Sequence, residues 1–314
     1  MFGDGPLSEA TRSSRDRVVA IVQARVGSKR FPGKSLLRVE SRSLLGFMLS
    51  RVKRSKTVDS VVLAIPDGSD DDALVSVAQE FGVAVHRGPE LDVLGRFWGA
   101  AVSNSADVVV RLTGDCPLID WTVIDSCVRP VLSGEVDHSK TSEGFPDGLD
   151  TEVFRVALLN DAHQIATEEY DREHVTPWIR RVQGLETRLI EPDAPLLDIR
   201  LTLDEPEDFS VIESVIDAFG RDDFLATEIN ELACQNPGLF EANRHLSRNE
   251  GATMSSGEKM WRRAQRVVAG GNMLLSKRPD QFSNGLWPSY FSRAKGCSVW
   301  DLDGRELIDV GYMG

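Results

Sequence analysis

The sequence is short of cysteine, of positive charge and of long hydrophobic runs. Its four cysteines are widely spaced and form no C-x-x-C pair, which argues against a zinc site and a disulfide scaffold and favours a reduced, cytoplasmic protein. No apolar run approaches the roughly 18 residues of a membrane-spanning helix, so no membrane partner is expected. A net charge of −13 disfavours a nucleic-acid partner, because non-specific affinity for DNA or RNA needs a basic face.

The amino terminus also lacks the apolar core of a signal peptide. Residues 1–16 are mostly polar, and we expect them to form a flexible N-terminal extension. The whole chain is 41% hydrophobic and 27% charged, an ordinary balance for a globular protein. Its 314 residues are enough for one large core and something smaller.

Short apolar runs alternate with amphipathic segments through the first part of the chain. Four runs predict buried strands, at 18–22, 60–65, 83–86 and 107–112. Three segments with apolar residues at helical spacing follow the first three runs, at 44–52, 74–81 and 91–102. Strands that alternate with helices of about ten to fifteen residues indicate βαβ units. The predicted fold is therefore α/β, with a Rossmann-like, mostly parallel sheet and helices on both faces.

A loop with four cations follows the first predicted strand. Its charged residues are Arg25, Lys29, Arg30 and Lys34. Loops at the carboxyl ends of strands hold the ligands of open α/β sheets, and backbone N–H groups together with Lys and Arg side chains neutralise phosphates. We therefore interpret the loop as a polyphosphate site; the alternative is a solvated basic loop.

The spacing of this loop differs from that of a P-loop. Five residues separate Gly27 from Gly33, where a P-loop has four. Pro32 also removes one backbone donor from the loop. The pattern therefore indicates a phosphate loop of another kind.

Carboxylates follow two of the predicted strands. Asp115 comes after the run at 107–112, and Asp204 comes after a further strand predicted at 199–203. Because Mg²⁺ prefers one or two carboxylates together with phosphate oxygens and water, the two acids are predicted to share one metal ion. The competing interpretation makes Asp115 a turn residue. Asp120 is better explained as a helix N-cap.

The middle of the chain supplies the candidates for an acceptor site. Residues 144–150 form a turn-rich loop, and such loops carry specificity in α/β enzymes. His174 is predicted to begin a helix that continues over 175–182, as either a structural or an acceptor-binding group. The acceptor-binding candidates are Asp147, Asp150, Glu152 and His174.

Four motifs resemble one enzyme family. They are VVAIVQARVGSKRFPGKSL, VVVRLTGDCPLID, DREHVTPWI and RLTLDEPEDF, and together they resemble the cytidylyltransferases related to spore-coat polysaccharide protein F. That group is similar to the acylneuraminate and 3-deoxy-manno-octulosonate cytidylyltransferases. The resemblance covers roughly 17–240 and implies a nucleotide-diphospho-sugar transferase type of fold. It also implies transfer of CMP from CTP to a small anionic, sugar-like acceptor, with release of pyrophosphate and use of Mg²⁺.

The resemblance also implies roles for individual residues. By match to the motifs, the nucleotide-binding positions are Gln23, Ala24, Arg25, Gly27, Ser28, Lys29, Arg30, Lys34, Thr113 and Gly114. The metal ligands are Asp115 and Asp204. Lys29 and Arg30 would stabilise the departing pyrophosphate, and Asp115 completes the catalytic set, because positioning and charge neutralisation supply most of the catalysis in phosphoryl transfer.

The end of the chain differs from the rest. Residues 241–256 are polar and non-periodic, which predicts a linker. Residues 257–314 resemble the beginning of the class III aminotransferases similar to glutamate-1-semialdehyde aminomutase, through WRRAQRVVAGG, PSYFSRAKGCSVWDLDG and IDVGYMG. Those enzymes bind pyridoxal phosphate on a lysine far downstream, so we expect a truncated, inactive piece without that cofactor. A hairpin is predicted within 297–309, around Leu302 to Gly304.

Two other functions remain open from the sequence. The first is a glycosyltransferase or another nucleotide-sugar enzyme on a similar sheet, which would release no pyrophosphate. The second is a non-catalytic nucleotide-binding domain serving the fused segment. The oligomeric state is left open between a monomer and a homodimer.

Overall fold

The computed structural model describes residues 16–28, 30–39, 41–246, 248, 256–268 and 290–308. These residues belong to two compact units, which meet in sequence between His245 and Leu246. All four cysteines are free thiols. Within the described ranges, no helix combines the length and the apolar character needed to cross a membrane.

The first unit contains nine strands and nine helices among its described residues. The strands are β1 (Val18–Gln23), β2 (Arg38–Val39), β3 (Arg42–Ser43), β4 (Ser60–Pro66), β5 (Ala84–Gly88), β6 (Val108–Thr113), β7 (His138–Thr141), β8 (Glu152–Arg155) and β9 (Thr187–Ile190). The helices are α1 (Leu44–Val52), α2 (Asp72–Glu80), α3 (Val93–Ser103), α4 (Trp121–Leu132), α5 (Val156–Ile165), α6 (Glu169–His174), α7 (Pro177–Arg180), α8 (Pro206–Phe219) and α9 (Ala226–Gln235).

Seven of these strands form one sheet in the order β5-β4-β1-β6-β8-β7-β9. Strand β8 runs antiparallel to both of its neighbours, and every other pair in the sheet is parallel. The predicted mostly parallel α/β sheet is therefore confirmed. Strands β2 and β3 form a separate antiparallel ribbon.

Apolar residues on both sides of β1 explain why the sheet is covered by helices on both faces. Val18, Ala20 and Val22 pack into one buried cluster, with residues of α1, α2, α4 and α8. Val19 and Ile21 pack into a second cluster, with residues of α3 and α5. Because a parallel strand is buried on both sides, it is apolar along its whole length. The sheet is thus the middle of three layers.

The helix N-cap predicted at Asp120 is present. Asp120 precedes α4 and accepts a hydrogen bond from the Thr122 N–H at 2.8 Å. Its other carboxylate oxygen accepts from the Ala226 N–H at 2.7 Å, so the cap also connects α4 to the start of α9. Glu205 and Asp208 form a capping box at the start of α8.

The strand predicted at 199–203 is wrong. This segment makes only an isolated bridge, between Arg200 and Asp147. The Leu203 N–H donates to the Asp115 carbonyl at 2.7 Å. The segment is extended beside two loops and not beside a strand, so no continuous ladder forms.

The helix predicted to begin at His174 is also wrong. His174 is the last residue of α6, and Val175 follows with a φ of 71°. The Thr176 N–H donates to the His174 carbonyl at 2.9 Å, which closes a tight turn. The next helix, α7, begins at Pro177, because proline lacks an N–H and fits only the first turn of a helix.

The second unit contains one described helix and one antiparallel sheet. These elements are α10 (Ser256–Val267), β10 (Phe291–Lys295), β11 (Ser298–Asp301) and β12 (Glu306–Ile308). The predicted hairpin is confirmed between β11 and β12. Its turn is closed by the Asp301 carboxylate, which accepts from the Asp303 and Arg305 N–H groups at 3.0 and 2.8 Å. Asp309, at the end of the predicted hairpin, lies outside the described residues.

Candidate active site

The loop after β1 is closed by its own backbone. The N–H groups of Ser28 and Gly33 both donate to the Val26 carbonyl at 2.9 Å. Gly33 has a φ of 74°, a left-handed conformation that glycine adopts without a steric penalty. The Val26 N–H donates to the Asp71 carboxylate at 2.7 Å, which fixes the loop to the segment after β4. The chain then enters the site as a short 3₁₀ turn, Lys34–Leu36.

Lys34 lies between the two predicted metal ligands. Its ammonium nitrogen is 3.2 Å from an Asp115 oxygen and 2.8 Å from an Asp204 oxygen. The Lys34 side chain is 10% exposed, while the two carboxylates are 29% and 19% exposed. The structure therefore brings Asp115 and Asp204 together around one cation, at an opening to solvent.

Asp204 is also contacted by two arginines. An Arg30 Nη lies 2.7 Å from its carboxylate, and an Arg200 Nη lies at 3.5 Å. Arg200 in turn pairs with Asp147 at 2.8 Å and with the buried Asp208 at 2.9 Å. These contacts make one continuous charged network from the loop after β1 to the start of α8.

The charges in this network determine two protonation states. Burial by itself would raise the pKa of Asp115, but the Lys34 charge and a hydrogen bond from Thr113 outweigh it and lower the pKa to about 2. Burial by itself would lower the pKa of Lys34, but Asp115 and Asp204 outweigh it and the pKa is raised. The site thus holds an ionised acid against a protonated lysine at neutral pH.

Backbone contacts keep Asp115 at this position. The Gly114 N–H donates to the Gln23 carbonyl at 2.8 Å. A Cβ at Gly114 would lie 2.9 Å from that same oxygen, closer than side-chain carbons approach, so the position requires glycine. The Leu203 N–H then holds the Asp115 carbonyl from the other side at 2.7 Å.

The donor set suits a divalent cation. Asp115 and Asp204 place carboxylate oxygens around a single point, and Mg²⁺ is typically bound by one or two carboxylates with phosphate and water completing its coordination. The described part of the chain contains no cluster of three or more His, Cys, Asp or Glu side chains with metal-binding geometry. The pair therefore fits a metal that arrives with a phosphate, and does not fit a metal held by protein ligands alone.

Other predicted nucleotide-binding residues have separate surroundings. Arg25 contacts Glu90 at 3.7 Å, with 37% and 58% of the two side chains exposed. The Thr113 hydroxyl lies 3.3 Å from the Cys116 sulfur. Gln23 and Ala24 lie at the end of β1, and Gly27 is exposed. Lys29 lies outside the described residues, so its catalytic and nucleotide-binding roles stay predictions.

The four acceptor candidates do not form one cluster. Asp147 joins the charged network through Arg200, and Asp150 accepts a hydrogen bond from the Gly148 N–H at 3.2 Å. Glu152 is buried in β8, where its carboxylate accepts hydrogen bonds from neighbouring side chains. His174 packs against the ring of Tyr170, with 4.5 Å between ring centroids. Their binding roles stay predictions.

Sequence reasoning missed two arginines of this region. Arg200 pairs with three carboxylates, and the signal was its spacing of four and eight residues from Asp204 and Asp208. Arg111 interrupts the apolar strand β6, and a cation inside a buried strand is itself a signal, because arginine is rarely buried without a partner. Two surface cavities, of about 340 and 430 Å³, lie around Val182 and include no residue of this site.

Comparison with known proteins gives consistent matches to one group of enzymes. The sequence profile of a family described as Cytidylyltransferase matches residues 19–246. The spore coat polysaccharide biosynthesis protein SpsF of Bacillus subtilis is 35% identical over 234 residues, which are 70% of this chain and 95% of that protein. A 3-deoxy-manno-octulosonate cytidylyltransferase of Anaeromyxobacter sp. is 36% identical over 152 residues, 47% of this chain and 59% of that protein.

A solved structure supports the same grouping. The structure of a cytidylyltransferase from Leptospira borgpetersenii has a TM-score of 0.70 and 33% sequence identity, and it covers 72% of this chain and 98% of that one. The family match ends at residue 246, before α10 and the C-terminal sheet.

Proposed function

The chain belongs to the cytidylyltransferase family, and on that premise we propose that it transfers CMP from CTP to a sugar-like acid, with release of pyrophosphate. Its place would be the synthesis of a surface polysaccharide or glycoconjugate precursor. The observation that carries the proposal is Lys34 between Asp115 and Asp204, with Arg30 beside them. Cations from the loop after β1 and acids from two other segments meet at one opening, as a triphosphate bound with a metal requires.

The residues of the site would act mainly through charge and position. Arg30 and Lys34 neutralise the phosphate chain, and Lys29 is proposed to join them at the departing pyrophosphate. A divalent cation held by Asp115 and Asp204 would supply additional neutralisation of the phosphates. The low pKa of Asp115 keeps this carboxylate available as a metal ligand throughout the neutral range. An ionised acceptor would need no general base, whereas a neutral hydroxyl would.

A pyrophosphate-release assay tests this proposal. The chain is incubated with Mg²⁺, each of the four nucleoside triphosphates and a panel of sugar acids and phosphorylated acceptors. We expect release with CTP and at least one acid, and less with the other triphosphates. Nucleotide binding without release from any pair would contradict the proposal. Consumption of a nucleotide sugar without pyrophosphate would instead favour the glycosyltransferase alternative.

For residues 257–314 we propose the beginning of a pyridoxal-phosphate aminotransferase domain. The support is the three sequence motifs, parts of which lie in the described strands β10 to β12. Incubation of the chain with pyridoxal phosphate, followed by borohydride reduction and peptide mapping, tests whether this segment carries a cofactor lysine. We expect no specific adduct there; a single stoichiometric adduct would contradict the expectation that residues 257–314 are inactive and hold no cofactor lysine.

A further inference from the structure

Arg111 is a buried cation that the proposed chemistry leaves without a role. It lies in β6 on the same sheet face as Val109, which belongs to the core cluster shared with α3 and α5. Its side chain is 20% exposed. Its Nε is buried and has no hydrogen-bond partner among the described residues. Burying this N–H without a partner costs free energy, and a ligand that accepts a hydrogen bond from it would recover that cost.

The neighbouring carboxylate does not meet that need. Arg111 comes only within 3.8 Å of Glu152, beyond hydrogen-bond distance. Glu152 already accepts hydrogen bonds from His138 at 2.8 Å, from the Thr176 hydroxyl at 2.8 Å and from Arg180 at 2.8 and 2.7 Å. One carboxylate thus faces two guanidinium groups, and only that of Arg180 is hydrogen-bonded to it.

A second unpartnered polar atom lies beside Arg111. In the register of β1 and β6, Ile21 pairs with Arg111 and Gln23 pairs with Thr113. Because side chains two residues apart share a face of the sheet, Gln23 and Arg111 point to the same side on adjacent strands. The Gln23 Oε1 is also buried without a partner in the described part of the chain. A ligand here would meet one cation and one hydrogen-bonding amide.

This position is continuous with the candidate active site. Asp115 follows Arg111 by four residues in the sequence. The pKa of Arg111 is lowered by burial and by the Arg180 charge, while Glu152 and Asp115 act in the opposite direction. Arg111 lies in β6, and Asp115 lies in the loop directly after that strand. An anion bound at Arg111 would lie next to the metal ligands.

We propose that Arg111 binds the carboxylate of the acceptor and selects acids over neutral sugars, an inference that rests on the proposed function. A guanidinium pairs with a carboxylate through two parallel hydrogen bonds. Three of the four acceptor candidates, Asp147, Asp150 and Glu152, are acids that would repel an anion. Glu152 and Arg180 act as positioning residues. They are hydrogen-bonded to each other beside Arg111, so they are not the groups that bind the acceptor carboxylate.

A binding experiment with the full chain tests this proposal. The probes are 2-keto sugar acids and their methyl esters, titrated in the presence of α,β-methylene CTP so that no turnover occurs. We expect at least one acid to bind the native chain about tenfold or more tighter than its ester, because a buried charge pair contributes that much. This comparison of acid and ester uses only the native chain, so its result does not depend on whether a variant folds.

Two variants then identify the residue. Arg111→Met is expected to lose the preference for acid over ester, with the affinity for the CTP analogue unchanged within about twofold, because in this proposal the Arg111 side chain contacts the acceptor and not the nucleotide. Arg111→Lys keeps the charge and is expected to retain a weaker preference. Arg155→Met is the matched control, because Arg155 lies in the same sheet with 23% exposure and pairs with Asp16 at the other end of the neighbouring strand.

The outcomes separate this inference from the proposed function. Equal affinity for acids and esters, or an acid preference that survives in Arg111→Met, would overturn the role of Arg111. Loss of CTP-analogue binding in Arg111→Met would overturn it as well, by placing Arg111 in the nucleotide site. Acid binding without pyrophosphate release would leave the inference standing and remove the proposed function. Pyrophosphate release from CTP with neutral acceptors as readily as with acids would overturn the role of Arg111 and leave CMP transfer itself standing.

Discussion

At the scale of single residues, the site depends on opposite charges held close together. Lys34 is within 3.2 Å of both Asp115 and Asp204, and Asp204 is shared with Arg30. Each carboxylate is paired with a protein cation, so each could exchange that cation for a metal ion. This exchange is what we propose to happen when a metal-bound triphosphate enters.

Asp115→Asn removes the negative charge while keeping the side-chain shape. We expect pyrophosphate release to fall by at least about 100-fold, because a neutral asparagine amide binds a divalent cation more weakly than the ionised carboxylate does. Circular dichroism and nucleotide binding should show an intact fold. The control is Asp161→Asn, at an exposed position of α5, which should behave as the native chain. Full activity of Asp115→Asn would remove the metal-binding assignment.

The pKa of Asp115 also predicts a dependence of stability on pH. Its folded pKa of about 2 lies below the ordinary aspartate value of 3.8, so ionised Asp115 stabilises the fold above about pH 4. This contribution, on the order of 2 kcal/mol, should be lost as the pH falls from about 4 to about 2. Urea unfolding at a series of pH values measures it. In Asp115→Asn the loss over this range should be smaller; an unchanged curve would contradict the assigned pKa.

At the scale of elements, one arginine connects several loops of the first unit. Arg51 in α1 is fully buried and donates to the backbone carbonyls of Ile119, Asp222 and Phe224 at 2.8, 2.7 and 2.9 Å. Its guanidinium also lies over the Phe224 ring, 4.3 Å from the centroid. Burial lowers its pKa to about 10, so it stays charged at neutral pH. The loop that follows Asp115 is thereby attached to α1.

Arg51→Met should destabilise the first unit strongly. Several buried carbonyls would lose their donor, and we expect a loss of about 3 kcal/mol or more in the free energy of unfolding. Arg54→Met is the matched control one turn away. Arg54 is 41% exposed and pairs with Asp222, so its removal should cost less than about 1 kcal/mol. Chemical denaturation compares the two variants, and equal losses would contradict the structural role of Arg51.

Two glycines with positive φ allow the conformational cost of a side chain to be compared with the cost of a steric clash. Gly148 has a φ of 101°, and a Cβ there would overlap the backbone of Leu201 and Thr202. Gly134 has a φ of 74° with open space around it. We expect Gly134→Ala to cost about 1 kcal/mol and Gly148→Ala to cost clearly more and to lower acceptor turnover, because it would push the 144–150 loop away from Arg200. Thermal unfolding and the pyrophosphate assay measure both effects.

At the scale of the whole molecule, the chain combines two compact units. The family match covers 19–246 and stays almost entirely within the first. The core of that unit contains residues from nearly every one of its helices, as expected of a domain that folds by itself.

A shortened chain ending at residue 245 should therefore retain the fold and the activity of the first unit. We expect its melting temperature to stay within about 4 °C of the full chain, which corresponds to roughly 1–2 kcal/mol for a domain of this size. Pyrophosphate release per molecule should be unchanged. Loss of activity on shortening would show that the second unit contributes to the site.

The sequence alone determined four strands of the sheet, β1, β4, β5 and β6, and the helices between them, and it proposed candidate residues for a phosphate site. Apolar runs on buried strands and acids at helix starts are local signals, so β1, β4, β6 and the Asp120 cap followed from them. The sequence also indicated that Asp115 and Asp204 belong together, although it predicted a strand before Asp204 that does not form. Local patterns carry this information because burial and capping depend on neighbours within a few residues.

Only the tertiary structure decided which charges meet. Lys34 reaches Asp204 across 170 residues of chain, and the pairing of Arg200 with Asp147 depends on two loops that lie side by side. The Arg111 Nε has no partner among the described residues because the nearest carboxylate, Glu152 in β8, is hydrogen-bonded to Arg180. Partners at long sequence separation are selected by packing and desolvation, which depend on the tertiary arrangement and not on residues nearby in the sequence.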